Sequence, residues 1–423
     1  MGKAKNTTEI QGSKPGLYYG YTIAILAFCI ILVVYGLRFS YGVFFNSMSL
    51  EMGWNNATTS LVYSVSMIME GIFNIILGGV IDRYGPRLVV TISGLLIALG
   101  YCLMPTATST WQLFLFYSGL IGIGMGGLFA PLVTIIARWF TAKRNLMTGL
   151  VISSVGIGVL IVSPLANWII IIFDWRMTFL IFGIVILLIT TICAQFLKRD
   201  PSSIGILPYG EDTNTKNNRI VPVHSVSFGE AIRSCQFWFV FIMLFSYGYC
   251  TNSVSIHLVP DLVNLGTSST VSANVLAMIG GSQIVGRVGL GMAADKTGNK
   301  FMFILGFALF ALLVFWLPGL QSMWSFFVFA AFFGIAQGGM ASSQSPLVAS
   351  LFGLKSLGLL FGCCGFGFTI GAALGPYITG HIRDISGNYQ MAFLICTAVS
   401  LIALIISIAL RPLKNLPPRR VSL

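Results

Sequence analysis

Apolar runs about 20 residues long recur along the whole of this chain, and a run of that length with almost no charge is what a helix needs to cross a bilayer. In lipid, every backbone N–H and C=O must find its partner inside the segment, so such runs fold as helices. Twelve runs stand out. Six fall at roughly 17–46, 58–81, 88–107, 111–138, 147–172 and 176–197, and six more at 236–260, 271–294, 301–318, 324–352, 356–380 and 389–410. Composition agrees: only 9% of the 423 residues are charged and 56% are hydrophobic, against about 25% charged in soluble domains. The first run is too long for a signal-peptide core and has no cleavage site, so it is expected to stay as a helix. The chain therefore reads as an all-α membrane protein. Residues 1–197 form one six-helix unit, 198–234 a polar linker, and 235–423 a second six-helix unit.

A net charge of +12 would point to nucleic acid in a soluble protein. Here the basic residues sit between the apolar runs. If both termini share one side, that side receives all but four of the 24 Lys and Arg. Arg176 and Arg383 fall on the other side, while Arg38 and Arg287 lie inside spans. The positive-inside rule then puts both termini in the cytoplasm of a multi-pass protein of the cell's inner or plasma membrane. No nucleic-acid partner is expected. No phosphate loop, metal-ligand pattern or nucleophile–base set appears, so neither a cofactor nor an enzymatic role is expected. Seven of the eight cysteines lie in apolar runs, which suits small buried hydrophobes better than disulfides. Nothing calls for more than one copy of the chain.

The two halves repeat each other. Gly78-Gly-Val-Ile-Asp82-Arg83-Tyr-Gly85-Pro-Arg87 matches Gly291-Met-Ala-Ala-Asp295-Lys296-Thr-Gly298-Asn-Lys300, and Gly122-Ile-Gly-Met-Gly126 matches Gly334-Ile-Ala-Gln-Gly338. Gly149, Gly156 and Gly158 match Gly358, Gly365 and Gly367 at identical spacing, and Met177-Thr-Phe-Leu-Ile181 matches Met391-Ala-Phe-Leu-Ile395. Two parallel six-helix repeats imply two pseudo-symmetric bundles and alternating access to a site between them. The Gly-x-x-x-Asp-Arg-x-Gly-x-Arg pattern, repeated in the second copy with Lys296 and Lys300 at the Arg positions, resembles the loop signature of the major facilitator superfamily.

Three stretches narrow the resemblance to bacterial-type monocarboxylate transporters, relatives of the oxalate/formate antiporters. They are Trp139-Phe140-Thr-Ala-Lys143-Arg144-Asn-Leu-Met-Thr-Gly149, then Gln236-Phe-Trp238 with His257-Leu-Val-Pro260, and Arg287-x-x-x-Gly291 running into Asp295. In that family the arginine of span eight binds the substrate carboxylate. The chain also departs from the family. Phe39 stands where animal members carry a lysine in span one. Gln283 replaces an aspartate one turn before the arginine, and Cys364 stands where the oxalate antiporter has a lysine in span eleven. A single central cation suits a single carboxylate.

Depth ranks the candidates. Arg287 lies eight residues above Asp295, about 12 Å along a helix and so near the midplane. A charge buried there is by default functional, and a guanidinium matches a carboxylate with two prongs; the alternative is a structural arginine tied to carbonyls of a neighbouring helix. Gln283 shares its helix face and reads either as a second donor to substrate or as an interhelical bond. Glu70, about 18 Å above Asp82, is a proton-carrier candidate, or else a structural partner of Arg38. Arg38 reads equally as an attractor of anions or as a side chain snorkelling to the interface. Tyr117, Asn252 and Cys364 are candidates to line the site. His257, with Asp261 one turn on, suits a helix-end contact. Asp82, Arg83, Asp295 and Lys296 are gate residues, with Arg138 and Arg144 as partners. The resemblance thus implies a secondary active transporter of a small monocarboxylate of the lactate or pyruvate class, working by proton symport. A carboxylate exchanger and a carboxylate sensor that does not transport remain open. The partners expected are the monocarboxylate anion, the proton and the lipid bilayer.

Overall fold

The structure, a computed structural model, describes residues 18–41, 44, 48, 51, 56–210 and 227–411. Lys3, Lys5, Lys14, Lys216, Arg219, Lys414, Arg419 and Arg420 lie outside the described residues. Twelve helices among the described residues are long and apolar enough to cross a membrane. They are α1 Tyr19–Phe39, α2 Leu61–Tyr84, α3 Pro86–Thr106, α4 Thr110–Trp139, α5 Arg144–Phe173 and α6 Trp175–Phe196, then α7 Cys235–Val259, α8 Asn274–Thr297, α9 Asn299–Gly319, α10 Met323–Phe352, α11 Leu357–Arg383 and α12 Gln390–Ala409. The expected first span ran to residue 46, but α1 ends at Phe39, with Ser40 closing it through bonds back to Gly36 and Leu37.

The helices form two bundles, each with its own apolar core. Ile23, Ile30, Met125, Trp139 and Phe179 belong to the core of α1–α6, and Tyr247, Phe307, Phe333, Met340 and Cys396 to that of α7–α12. The repeated loop signature has a local physical reason. Gly85 and Gly298 adopt φ of +86° and +91° in the tight turns before α3 and α9, a conformation that favours glycine. Pro86 then opens α3, where its missing N–H costs nothing.

Between helices, glycines allow backbone to approach backbone, the usual device where no hydrophobic effect drives association in lipid. In the first bundle, a Cβ on Gly158 of α5 would stand 2.2 Å from the Leu32 carbonyl oxygen of α1. Between the bundles, a Cβ on Gly149 of α5 would stand 2.0 Å from the Arg287 carbonyl oxygen of α8. The second pair of bundle-bridging helices is α2 and α11, where Gly78 and Gly358 face each other's carbonyls. The C-terminal ends of α2 and α8, which bear Asp82 and Asp295, define one face of the molecule, called the basic face below. At the opposite face, Glu51 accepts from Trp175 at 2.5 Å and from Arg176, and these two donors hold its carboxyl below the usual carboxylate range.

Gly158→Ala is expected to cost about 1–3 kcal/mol by overpacking α1 against α5, lowering the thermal unfolding midpoint of the purified protein. Gly289→Ala, where a Cβ meets nothing within 4 Å, should leave the midpoint unchanged.

Candidate functional site

Arg287 occupies the place where α8 crosses both α10 of its own bundle and α5 of the other. Its Nη2 donates to Gln283 Oε1 at 3.1 Å, one helical turn away. Its Nη1 donates across the bundle boundary to the Ile152 carbonyl oxygen at 3.0 Å. Its Nε is buried and has no hydrogen-bond partner among the described residues. Gln283 is itself fixed, donating through Nε2 to Gln337 Oε1 of α10 at 2.6 Å, and Tyr247 Oη of α7 donates to the Gln337 carbonyl oxygen at 3.0 Å. Every partner of this guanidinium is neutral. A guanidinium has five N–H donors, so Nε and one further N–H can together address a carboxylate.

The other arginine inside a span is held differently. Arg38 of α1 is 1% exposed. Its Nη2 pairs with Glu70 Oε2 of α2 at 3.0 Å, its Nη1 bonds Ser66 Oγ, and its guanidinium stacks over the Tyr63 ring at 4.9 Å. Tyr35 Oη donates to the second Glu70 oxygen at 3.0 Å. Of the two readings for Glu70, the pairing with Arg38 is present. Snorkelling does not describe Arg38, which is wholly enclosed in its bundle.

The repeat relates the two clusters. The offset that carries Gly78 to Gly291 carries Glu70 to Gln283 and Asn74 to Arg287. One polar position is thus a carboxylate in one bundle and an amide in the other, at equivalent depth.

At the basic face the expected gate residues divide. Asp82 Oδ1 accepts from the Gly358 N–H at 3.2 Å and Oδ2 from the Leu359 N–H at 3.0 Å, at the start of α11. Asp295 Oδ1 accepts from the N–H and Nδ2 of Asn145, both at 2.8 Å, and its Oδ2 from the Leu146 N–H at 3.1 Å, at the start of α5. Each aspartate caps the N-terminus of a helix in the opposite bundle, where orphan N–H groups and the helix dipole favour an anion. Arg138 adds a second hold on Asp82, at 3.0 Å, and reaches Asp200 at 3.3 Å. Arg144 donates from Nε to its own Phe140 carbonyl. Arg83 and Lys296 are exposed, and Arg83 lies over Tyr84.

Other candidates are set apart from Arg287. Tyr117 is 1% exposed in a π-helical stretch of α4, its ring 4.5 Å from Tyr41 and its hydroxyl unpaired among the described residues. Its cation neighbour is Arg38, at 6.0 Å. Cys364 is wholly buried in its bundle and so does not line a cavity. Asn252 Nδ2 donates to the Gly248 carbonyl of its own helix. His257 sits 2.9 Å from the Pro376 carbonyl oxygen and 3.4 Å from Tyr389 Oη, a helix-end contact. Beyond the span, burial pushes the Asp261 carboxyl up to about 6.

Gln337, Asn145 and Tyr35 are among the side chains that sequence reasoning did not single out as site or gate residues. Gln337 had a signal, as one of two amides, with Gln344, in the apolar run 324–352. Asn145 had none, since the repeat that matches Gly149 to Gly358 aligns it with Leu354.

Asp82→Ala removes one cap and is expected to cost about 1 kcal/mol of closure at the basic face, roughly a fivefold shift in population. Spin labels on Arg83→Cys and Lys355→Cys should show a larger share of long distances in the variant.

A family model described as Major Facilitator Superfamily matches residues 26–289 and 240–422. Monocarboxylate transporter 13 of Rattus norvegicus is 27% identical over 387 residues, covering 90% of this chain and 86% of the relative. The MFS-type transporter opdF of Penicillium oxalicum is 24% identical over 343 residues, covering 79% and 76%. Among solved structures, the E. coli fucose:proton symporter FucP matches with a TM-score of 0.71 at 15% identity, over 93% of this chain and all of the other. A FucP structure in the outward conformation matches at 0.66 and 16%, over 92% and 99%. The helices, their repeat and these matches agree: the chain belongs to the Major Facilitator Superfamily, and its relatives by sequence include monocarboxylate transporters.

Proposed function

We propose that this protein carries a small monocarboxylate, of the lactate or pyruvate class, across the inner or plasma membrane by alternating access between its two six-helix bundles. The observation that carries this reading is Arg287: a half-buried cation near the midplane, with only neutral partners and an unpaired Nε among the described residues. One such cation balances one carboxylate. The relatives named monocarboxylate transporters support the substrate class. The bond from Arg287 to the Ile152 carbonyl ties the site to the opposite bundle, so a carboxylate that took over that N–H would compete directly with a contact between bundles. The two aspartate caps then serve as the inside gate, with the basic face and both termini in the cytoplasm.

The proton travels on Glu70 in this reading. It is the one acidic side chain well inside a span, and 22% of its side chain is exposed while Arg38 behind it is closed off. A specific observation favours exchange as the second reading: both Glu70 oxygens are already engaged, one by Arg38 and one by the Tyr35 hydroxyl, as in a structural ion pair. Uptake of labelled lactate, pyruvate, formate and acetate into proteoliposomes, with and without an imposed pH gradient, separates the two.

Arg287→Ala is expected to lose about 3 kcal/mol of substrate affinity, more than a hundredfold. Arg287→Lys should recover part of it, since it keeps the charge and loses the fork. Normal uptake by correctly folded Arg287→Ala removes the central claim. Glu70→Gln should abolish accumulation driven by the gradient and spare exchange; if accumulation persists, the proton moves elsewhere.

A further inference from the structure

We infer that Glu70 is a resident counter-anion that sets how many negative charges the site accepts, so that its carboxylate excludes dicarboxylates by neutralising Arg38. This rests on the carboxylate reading of the site and extends it to charge selectivity. Three observations carry it. First, the repeat places Glu70 in register with Gln283, so the Arg38–Glu70 pair and the Arg287–Gln283 pair lie at equivalent depth, one in each bundle. Second, α2 faces the other bundle at this level: a Cβ on Gly71 would lie 3.0 Å from Phe366 and 3.1 Å from Thr369 of α11. Third, the Arg38 side chain is 2% exposed and that of Glu70 22%, so the carboxylate is the accessible member of the pair.

The charges follow. Arg38 and Glu70 cancel, while Arg287 has neutral partners only, which leaves one net positive charge for the substrate. Among the described residues the remaining acidic groups lie at helix ends or in loops, and add nothing at this depth. Glu70 uses both oxygens as a bound carboxylate would, one on Arg38 and one on the Tyr35 hydroxyl. It occupies the position that the second carboxylate of a dianion would otherwise take. The neutral form of Glu70 that arises when it carries a proton is the state that Glu70→Gln holds permanently.

Proteoliposomes loaded with unlabelled lactate test this through exchange of labelled lactate, inhibited by unlabelled lactate, malonate and succinate. In wild type the dicarboxylates should inhibit weakly. In Glu70→Gln the ratio of malonate to lactate inhibition constants should fall at least tenfold. Glu70→Asp, which keeps the charge, should keep the wild-type ratio. The double variant Arg38→Gln/Glu70→Gln, with the second cation also gone, should return to it. An unchanged ratio in Glu70→Gln overturns the inference, as does an equal fall in the double variant. If the single variant is unstable alone, thermal unfolding with added ligand replaces the assay: stabilisation by malonate beyond that by lactate supports the inference, and stabilisation by neither overturns it. Wild type that exchanges no monocarboxylate brings down the transport reading and this inference together. Wild type that exchanges lactate while the ratio stays fixed brings down this inference alone.

Discussion

A guanidinium cannot rest in hydrocarbon without partners, and this protein meets that constraint twice in opposite ways. In the first bundle the cost of burying Arg38 is offset by a carboxylate, a hydroxyl and an aromatic face. In the second, Arg287 receives only an amide oxygen and a borrowed backbone carbonyl among the described residues. The first solution is complete within its bundle. The second is incomplete and reaches across to the other bundle. That difference, on an otherwise repeated framework, gives the molecule a polar centre with a direction to it.

The same economy appears at the basic face. Helix ends expose N–H groups that must be satisfied, and each bundle borrows an aspartate from its counterpart to do so. Asp82 serves α11 and Asp295 serves α5, each through backbone N–H groups in the first turn of the helix it caps. Between these caps and the centre, Gly149, Gly78 and Gly358 bring the bundles to backbone contact. A side chain at Gly149 would separate α5 from α8 at the level where Arg287 finds Ile152, so the Asp295 cap and Arg287 share one seam.

Much of the fold was legible in the sequence because lipid allows so few solutions: run length and loop repeats fix helices, number and pairing of halves. The end of α1 was not legible, because Ser40 closes the helix inside a run that remains apolar by composition. For the site, depth counted from Asp295 found Arg287, since helical rise is a constant. Arg38 was harder, because a charge near the end of an apolar run has the same pattern whether it snorkels or turns inward. Only the packing of Glu70, Ser66 and Tyr63 decides that. Cys364 shows the opposite limit: alignment gave it a position, and the direction its helix faces put it in the core.

The two caps at the basic face are not equal in strength. Asp82 is gripped also by Arg138, which extends to Asp200 in the segment leaving α6. Among the described residues, Asp295 accepts only from the start of α5. The α2–α11 edge thus carries an ion pair beside its cap, and the α5–α8 edge, which holds Arg287, carries a side-chain amide instead.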